Sequence, residues 1–212
     1  RPNSYIGRAV PRPNIRRLLE GRGTFIDDMT LPRTVHLAFV RSPYAHADIV
    51  RIDTAAALKV PGVVAVIAAL DIAPYCTPWV GVLDHLKGIK SAPQYPLAAG
   101  RAHWQGEPVV AIAAESRAIA EDAAQLVEID YKELPVVTDM EQALTPGTPV
   151  IHPEFSDNVC FERTINAGDA DAAFAAAAAA VEETFDFGRH TGVTLEPRVI
   201  LADYNAAEKH LT

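Results

Sequence analysis

The chain has 212 residues, 49% of them hydrophobic, enough to bury a real core and to hold one large domain or one domain and a piece of another. With 19 basic against 27 acidic side chains the formal charge is −8, which favours solubility and argues against a nucleic-acid groove unless the few arginines are grouped. Cys76 and Cys160 fit no metal-ligand or thioredoxin-like spacing and are read as reduced thiols of a cytoplasmic protein; no run of about 20 apolar residues is present to span a membrane.

Residues 1–19 form the first element, an extended arm. Pro2, Pro11 and Pro13 interrupt it and no hydrophobic period runs through it. It begins at Arg1 without an initiator Met, as expected of a processed or trimmed polypeptide. Arg8, Arg12, Arg16, Arg17 and Arg22 are the one grouping of arginines, read as an arm that docks on acidic protein surface, with a polyanion site as the alternative. One helical turn over Arg16 to Glu20 is expected, stopped by Gly21 and Gly23. Gly21-Arg22-Gly23 is no phosphate loop, because no apolar strand precedes it and no Gly-Lys-Ser/Thr follows.

Thr34 to Arg41 alternates, with Val35, Leu37 and Phe39 on one face and His36, Ala38 and Val40 on the other, so a strand is expected. Pro43 makes Ser42 to His46 a turn. Asp48 to Asp53 is the next strand, Thr54 to Lys59 a helical turn capped by Asp53 or Thr54, and Gly62 to Ile67 a third strand. Between Asp71 and Gly106 the pattern dissolves among prolines, glycines, Trp79 and Trp104. A surface excursion partly covered by a partner is expected there, with a mobile loop as the alternative.

The stretch that organises the chain follows. Pro108 to Ala113 suits a strand buried on both faces; Glu115 to Gln125 suits a helix with Ile119, Ala123 and Leu126 on one face; Leu126 to Tyr131 alternates again. Together they read as a βαβ-like unit in a single mixed sheet with the earlier strands. A helical turn around Asp139 to Leu144 leads to a stiff link, Pro146-Gly147-Thr148-Pro149. A strand from Cys160 through Ile165, a helix capped by Asp169 and prolonged by Ala175 to Ala180, and strands at Val181 to Phe187 and Val199 to Ala202 complete the expectations. The β-prone ending at His210-Leu211-Thr212 reads as an interrupted domain whose edge pairs with other polypeptide.

Candidate chemistry is sparse. His36, His46, His85, His103, His152, His190 and His210 are scattered singly, with no HExxH. No serine sits in a Gly-x-Ser-x-Gly elbow. Asp27-Asp28 and Glu182-Glu183 are adjacent carboxylates that a strand would point to opposite faces. Glu107, before Pro108, is the acid of most interest, read first as a strand-entry residue that bonds a turn or an interface.

Several stretches carry a family resemblance. They are Tyr5-Ile6-Gly7-Arg8 with Pro11-Arg12, Leu19-Glu20-Gly21-Arg22-Gly23-Thr24-Phe25-Ile26-Asp27-Asp28, Phe39-Val40-Arg41-Ser42-Pro43-Tyr44-Ala45-His46-Ala47, Gly106-Glu107-Pro108-Val109 and Glu196-Pro197-Arg198. In this order they resemble the N-terminal part of the molybdopterin-binding large subunit of molybdenum hydroxylases, the xanthine dehydrogenase, aldehyde oxidase and aerobic carbon monoxide dehydrogenase family. The resemblance implies an α+β fold: the arm, an α/β hammerhead domain with a mixed sheet over residues 20–140, and over residues 141–212 a linker and the incomplete start of the molybdopterin-binding domain.

It further implies an enzyme that oxidises an aldehyde, N-heterocycle or related small molecule with water as oxygen source. Molybdenum–molybdopterin, in the cytosine dinucleotide form, would lie in the complete assembly, with 2Fe-2S clusters and FAD in partner subunits. The partners would be the remaining molybdopterin-binding polypeptide, a 2Fe-2S subunit and an FAD subunit. The family's catalytic glutamate lies far toward the C-terminus, so Glu196 takes a structural role, and no catalytic, cofactor-binding or metal residue is assigned within this chain. A noncatalytic assembly module that keeps the hammerhead scaffold is the alternative, and a free-standing small-molecule-binding protein the third reading.

Overall fold

Pro108–Ala114 has no charged side chain, and from Val109 onward every residue is buried. A strand of this kind is stable only with a neighbour on each edge and a layer on each face. The computed structural model describes residues 5–83, 85–188, 190–194 and 196–212; Arg1 and Pro2 of the arm and Leu195 lie outside the described residues. The chain forms two compact units, Arg33–Ala178 and Arg1–Pro32 with Ala179–Thr212.

In the smaller unit α1 (Ile15–Leu19) forms the expected turn, and Gly21 leaves it at φ 70°, a conformation that favours glycine. The arginines of this region satisfy themselves locally. Arg16 pairs with Glu20 at 2.8 Å, Arg22 pairs with the same carboxylate, and Arg17 donates to the Arg22 carbonyl at 2.6 Å. Those guanidinium groups hold the Glu20 pKa below its ordinary value, Arg16 first and Arg22 second. At the other end of the chain Tyr204–Asn205 pairs with His210–Leu211 as a small antiparallel hairpin. The Asp203 and Thr212 backbones exchange hydrogen bonds of 3.0 and 2.9 Å, so these residues pair with one another. Val181 to Phe187 and Val199 to Ala202 form no strand. Val181, Phe185 and Phe187 are exposed, and alternation without an adjacent strand does not make a sheet.

The larger unit carries β1 (His36–Arg41), β2 (Ala47–Asp53), β3 (Val63–Ala68), α2 (Ala69–Ile72), β4 (Arg101–Ala102), β5 (Pro108–Ala114), α3 (Arg117–Ala124), β6 (Glu128–Glu133) and α4 (Ala170–Ala176). The single mixed sheet expected from the sequence is instead two antiparallel sheets of three strands, in the orders β1-β5-β3 and β4-β2-β6. Nor does the passage β5-α3-β6 form a parallel crossover, because β1 and β3 already occupy both edges of β5. The composition of β6 gives the reason. Glu128, Asp130 and Lys132 need a wet face, and β2 supplies a partner for two of them: Arg51 reaches Asp130 at 2.7 Å, Asp53 at 3.0 Å and Glu128 at 3.4 Å. These carboxylates, Asp130 first, raise the Arg51 pKa further.

The core joins Val109, Val110, Ile112 and Ala114 of β5 to Ala120 and Ala123 of α3, with Ala38, Val40, Val66, Ile49, Ile52 and Ile129 packed around them. The two alanines let the helix approach the sheet closely. Gly62 sits under the same helix: its φ is 88°, and a Cβ there would meet Ile119 Cδ1 at 2.9 Å. Ser116 caps the helix, its Oγ accepting the Ile119 N–H at 3.2 Å, so the first helical residue is Arg117, two positions after the expected Glu115. Ser116→Ala is expected to lower stability by about 1 kcal/mol in urea unfolding; an unchanged midpoint would show that the cap contributes nothing.

After β6, Asp139 Oδ1 accepts the Glu141 and Gln142 N–H groups and forms the expected turn. No strand forms from Cys160 to Ile165, since Cys160 bonds only a loop backbone, that of Lys90. Asp169 caps α4 as expected, its Oδ1 accepting from Ala172 N at 2.9 Å, but the helix ends at Ala176. Alanine propensity alone does not prolong a helix that has nothing to pack against, and Phe174 on α4 is itself exposed.

Candidate functional site

The excursion from Asp71 to Gly106 is not wholly a surface feature. Trp79 and Gln94 exchange backbone hydrogen bonds of 2.8 Å, closing its outer part into a loop. Its returning limb enters the core, where Leu97, Ala98 and Ala102 are buried and Ala98 N–H donates to the Pro108 carbonyl at 2.7 Å. Trp79 and Trp104 are 62% and 44% exposed.

Between this limb and residues 151–160 lies a cleft of about 470 Å³, lined among others by Lys90, Arg101, His103, Trp104, Glu107 and His152. Its far wall is strapped on by three contacts. Lys90 N–H donates to the Cys160 carbonyl at 2.8 Å, the Cys160 thiol donates to the Lys90 carbonyl at 3.2 Å, and Lys90 Nζ meets Asp157 at 2.6 Å. The lysine first, then the Val159 N–H, keeps the Asp157 pKa below the ordinary carboxylate value.

Glu107 forms the floor and is only 4% exposed. Its Oε2 accepts the His103 backbone N–H at 2.6 Å and stands 3.8 Å from His103 Nδ1. The turn is locked from the other side too: Gly106 N–H donates to the Ser42 carbonyl at 2.8 Å, Ser42 N–H to the Glu107 carbonyl at 2.9 Å, and Arg41 Nη1 to the Gly106 carbonyl at 2.9 Å. Glu107 therefore acts as the turn-bonding residue of its first reading. It joins the 103–107 turn to the β1–β2 turn.

Three histidines that the sequence leaves scattered converge on this floor. His103 and His152 stack at 4.8 Å between ring centres with planes 12° apart, and His46 stands 6.2 Å from His103. His46 Nδ1 donates to the Pro135 carbonyl at 2.8 Å, which fixes the tautomer; its Nε2 is buried without a partner among the described residues. Phe155 meets His152 edge-on at 6.3 Å. Burial first, and then the His103 charge, pushes the His152 pKa down. The four-residue spacing of His103 and Glu107 was the one sequence signal for this grouping; the remaining proximity is tertiary.

The other candidates stay apart. Asp28 Oδ2 accepts the Phe25 N–H at 2.9 Å as a local cap, and Glu182 and Glu183 are exposed. Glu196 Oε1 accepts the Ile26 N–H at 3.1 Å within the smaller unit. His36 and His210 are exposed on strands, and His190 lies against Phe187. Cys76 and Cys160 are both exposed free thiols. Among the described residues no group of three or more His, Cys, Asp and Glu side chains is arranged to hold a metal ion, and no helix is long and apolar enough to cross a membrane.

Comparison with known proteins gives the following matches. Residues 20–135 match the family described as "Aldehyde oxidase and xanthine dehydrogenase, a/b hammerhead domain", and residues 151–212 match "Molybdopterin cofactor-binding domain". The nicotine 6-hydroxylase large subunit of Paenarthrobacter nicotinovorans is 40% identical over 208 residues, covering 98% of this chain and 25% of the relative. The carbon monoxide dehydrogenase large chain of Hydrogenophaga pseudoflava is 33% identical over 92% of this chain and 25% of its own length. Among solved structures, quinoline 2-oxidoreductase from Pseudomonas putida 86 superposes with a TM-score of 0.85 at 37% identity, covering 96% of this chain and 26% of that one. The chain thus spans about a quarter of the length of the curated relatives it matches.

Proposed function

The chain belongs to the aldehyde oxidase and xanthine dehydrogenase family of molybdenum hydroxylases, and from that premise we propose that it is the N-terminal structural portion of such an enzyme's molybdopterin-binding subunit. The enzyme oxidises an aldehyde, N-heterocycle or related small molecule and passes electrons to 2Fe-2S clusters and FAD in partner subunits. Residues 1–19 are its arm, residues 20–140 its hammerhead domain, and residues 141–212 the linker and opening elements of the molybdopterin-binding domain. The observation that carries this reading is the order and extent of the two family matches, which together take in most of the chain.

When bound in the complete assembly, the molybdenum–molybdopterin group, in its cytosine dinucleotide form, supplies two-electron oxidation with water as the oxygen source. Among the described residues no group of three or more His, Cys, Asp and Glu side chains is placed to hold the metal, and the two cysteines are too few for an iron–sulfur cluster. The work of this chain's residues is mechanical. Glu196 ties the turn at Ile26, Glu107 ties the 103–107 turn to the sheet, and the exposed Trp79, Trp104 and Phe174 offer area for other polypeptide to cover.

The test is elemental and pterin analysis of the intact complex purified through this chain, followed by a panel of aldehydes and N-heterocycles. Molybdenum, iron, flavin and a cytosine-containing pterin, with turnover of at least one class, are expected. A stable complex with no molybdenum in any chain would overturn the catalytic reading in favour of an assembly module.

A further inference from the structure

We propose that the stacked pair His103 and His152 is an acid-released clasp that holds residues 150–155 against the hammerhead sheets and opens the cleft beside them when the pH falls. His152 is near the start of the stretch matching the molybdopterin-binding domain, and His103 lies within the stretch matching the hammerhead domain. The clasp therefore acts at the junction of the two. It is independent of the substrate and of the cofactor.

The geometry carries the inference. Two imidazoles stacked 4.8 Å apart with nearly parallel planes tolerate one positive charge but repel when both are charged. The groups facing the pair are few and can be named. Glu107 comes from the turn before β5, with Oε2 3.8 Å from His103 Nδ1; Glu154 comes from the same segment as His152, with Oε1 3.8 Å from its Nδ1; His46 comes from the β1–β2 turn. Glu107 is the buried carboxylate of the set and balances one proton on the pair. Glu154 is 44% exposed on its side chain, where water screens it, so a second proton finds no buried counter-charge.

The strap at the other end of the segment behaves differently. Lys90 holds the Asp157 pKa below its ordinary value, so mild acid leaves their contact in place. Acid thus frees the histidine end while the Lys90 end remains tied. The sign follows from the direction of the His152 shift. A histidine whose folded pKa is lowered contributes stability that is complete above its unfolded pKa, about 6.5, and lost as the pH falls toward the folded value.

Amide hydrogen exchange of the full chain at about pH 7.5 and about pH 5, corrected for the intrinsic rate, reads the clasp directly. Exchange of residues 150–155 is expected to rise severalfold at the lower pH, the direction that the lowered His152 pKa requires, with β5 and α3 unaffected. His152→Phe keeps an aromatic stack without a titrating group and is expected to hold protection at both pH values. Asp157→Asn is expected to raise exchange at both without altering the pH dependence. Unchanged protection in the natural chain, or pH dependence of natural size in His152→Phe, would overturn the proposal. Should that variant fail to fold, the NMR titration of the His152 ring in the natural chain decides: a midpoint at or above that of a free imidazole would equally overturn it.

Discussion

Ile112→Ala is expected to destabilise the larger unit by about 2–5 kcal/mol, the largest loss of any single truncation in this chain. Ile112 is fully buried at the middle of β5, opposite Ala38 on β1 and Val66 on β3. Its packing neighbours include Ala114, Ala120 and Ala123, side chains with no further atoms to swing into the space it leaves. The cavity therefore stays open, and the loss sits at the upper part of the range rather than near the transfer term alone. Urea unfolding followed by circular dichroism measures it. A loss below about 1 kcal/mol would mean that the sheet and α3 collapse together, and that the packing described is looser than it looks.

Glu107→Ala is expected to cost about 1.5–3 kcal/mol, because it removes a charged acceptor and strands the His103 backbone N–H. Glu107→Gln keeps an acceptor of the same length and is expected to lose less. The contrast separates the charge from the acceptor and bulk that glutamine keeps. Equal losses for both variants would assign the effect to the negative charge, and with it to the balance of the nearby His103 ring. The same measurement on Trp104→Ala, whose side chain is half exposed, serves as a neighbouring control with a small effect.

The strands and the helix of the larger unit were legible because each carries its own period. Ala38 and Val40 share a face of β1 as the alternation predicts, and that face meets the core, while Ile119 and Ala123 pack from α3. Pairing was not legible. Whether β6 lies beside β5 or β2 depends on which edges are already taken and on where Arg51 finds its carboxylates, facts that no local pattern contains. The failed strands at Val181 to Phe187 and Cys160 to Ile165 show the same limit from the other side, since alternation predicts a strand only where a partner strand is at hand.

The candidate site divides in the same way. Glu107 was recognisable from its position before Pro108, and its turn-bonding role from nothing more than strand entry. The meeting of His46, His103 and His152 was not, because the segment bearing His152 returns to the sheets through Lys90, Cys160 and Asp157 only after a long excursion. Family resemblance identified the scaffold, yet it could not have named this junction, which depends on a fold-back rather than on a motif.

Nine of the thirteen buried hydrophobic residues described are alanines, among them Ala47, Ala102, Ala111 and Ala113. Each methyl withholds little hydrocarbon from water, so melting this unit exposes less of it per residue than an aliphatic core of equal length would. The heat-capacity increment should accordingly fall below the usual ~12–15 cal/mol/K per residue, giving a broad, shallow curve of free energy against temperature. Cold and warmth then erode such a scaffold gently and almost symmetrically.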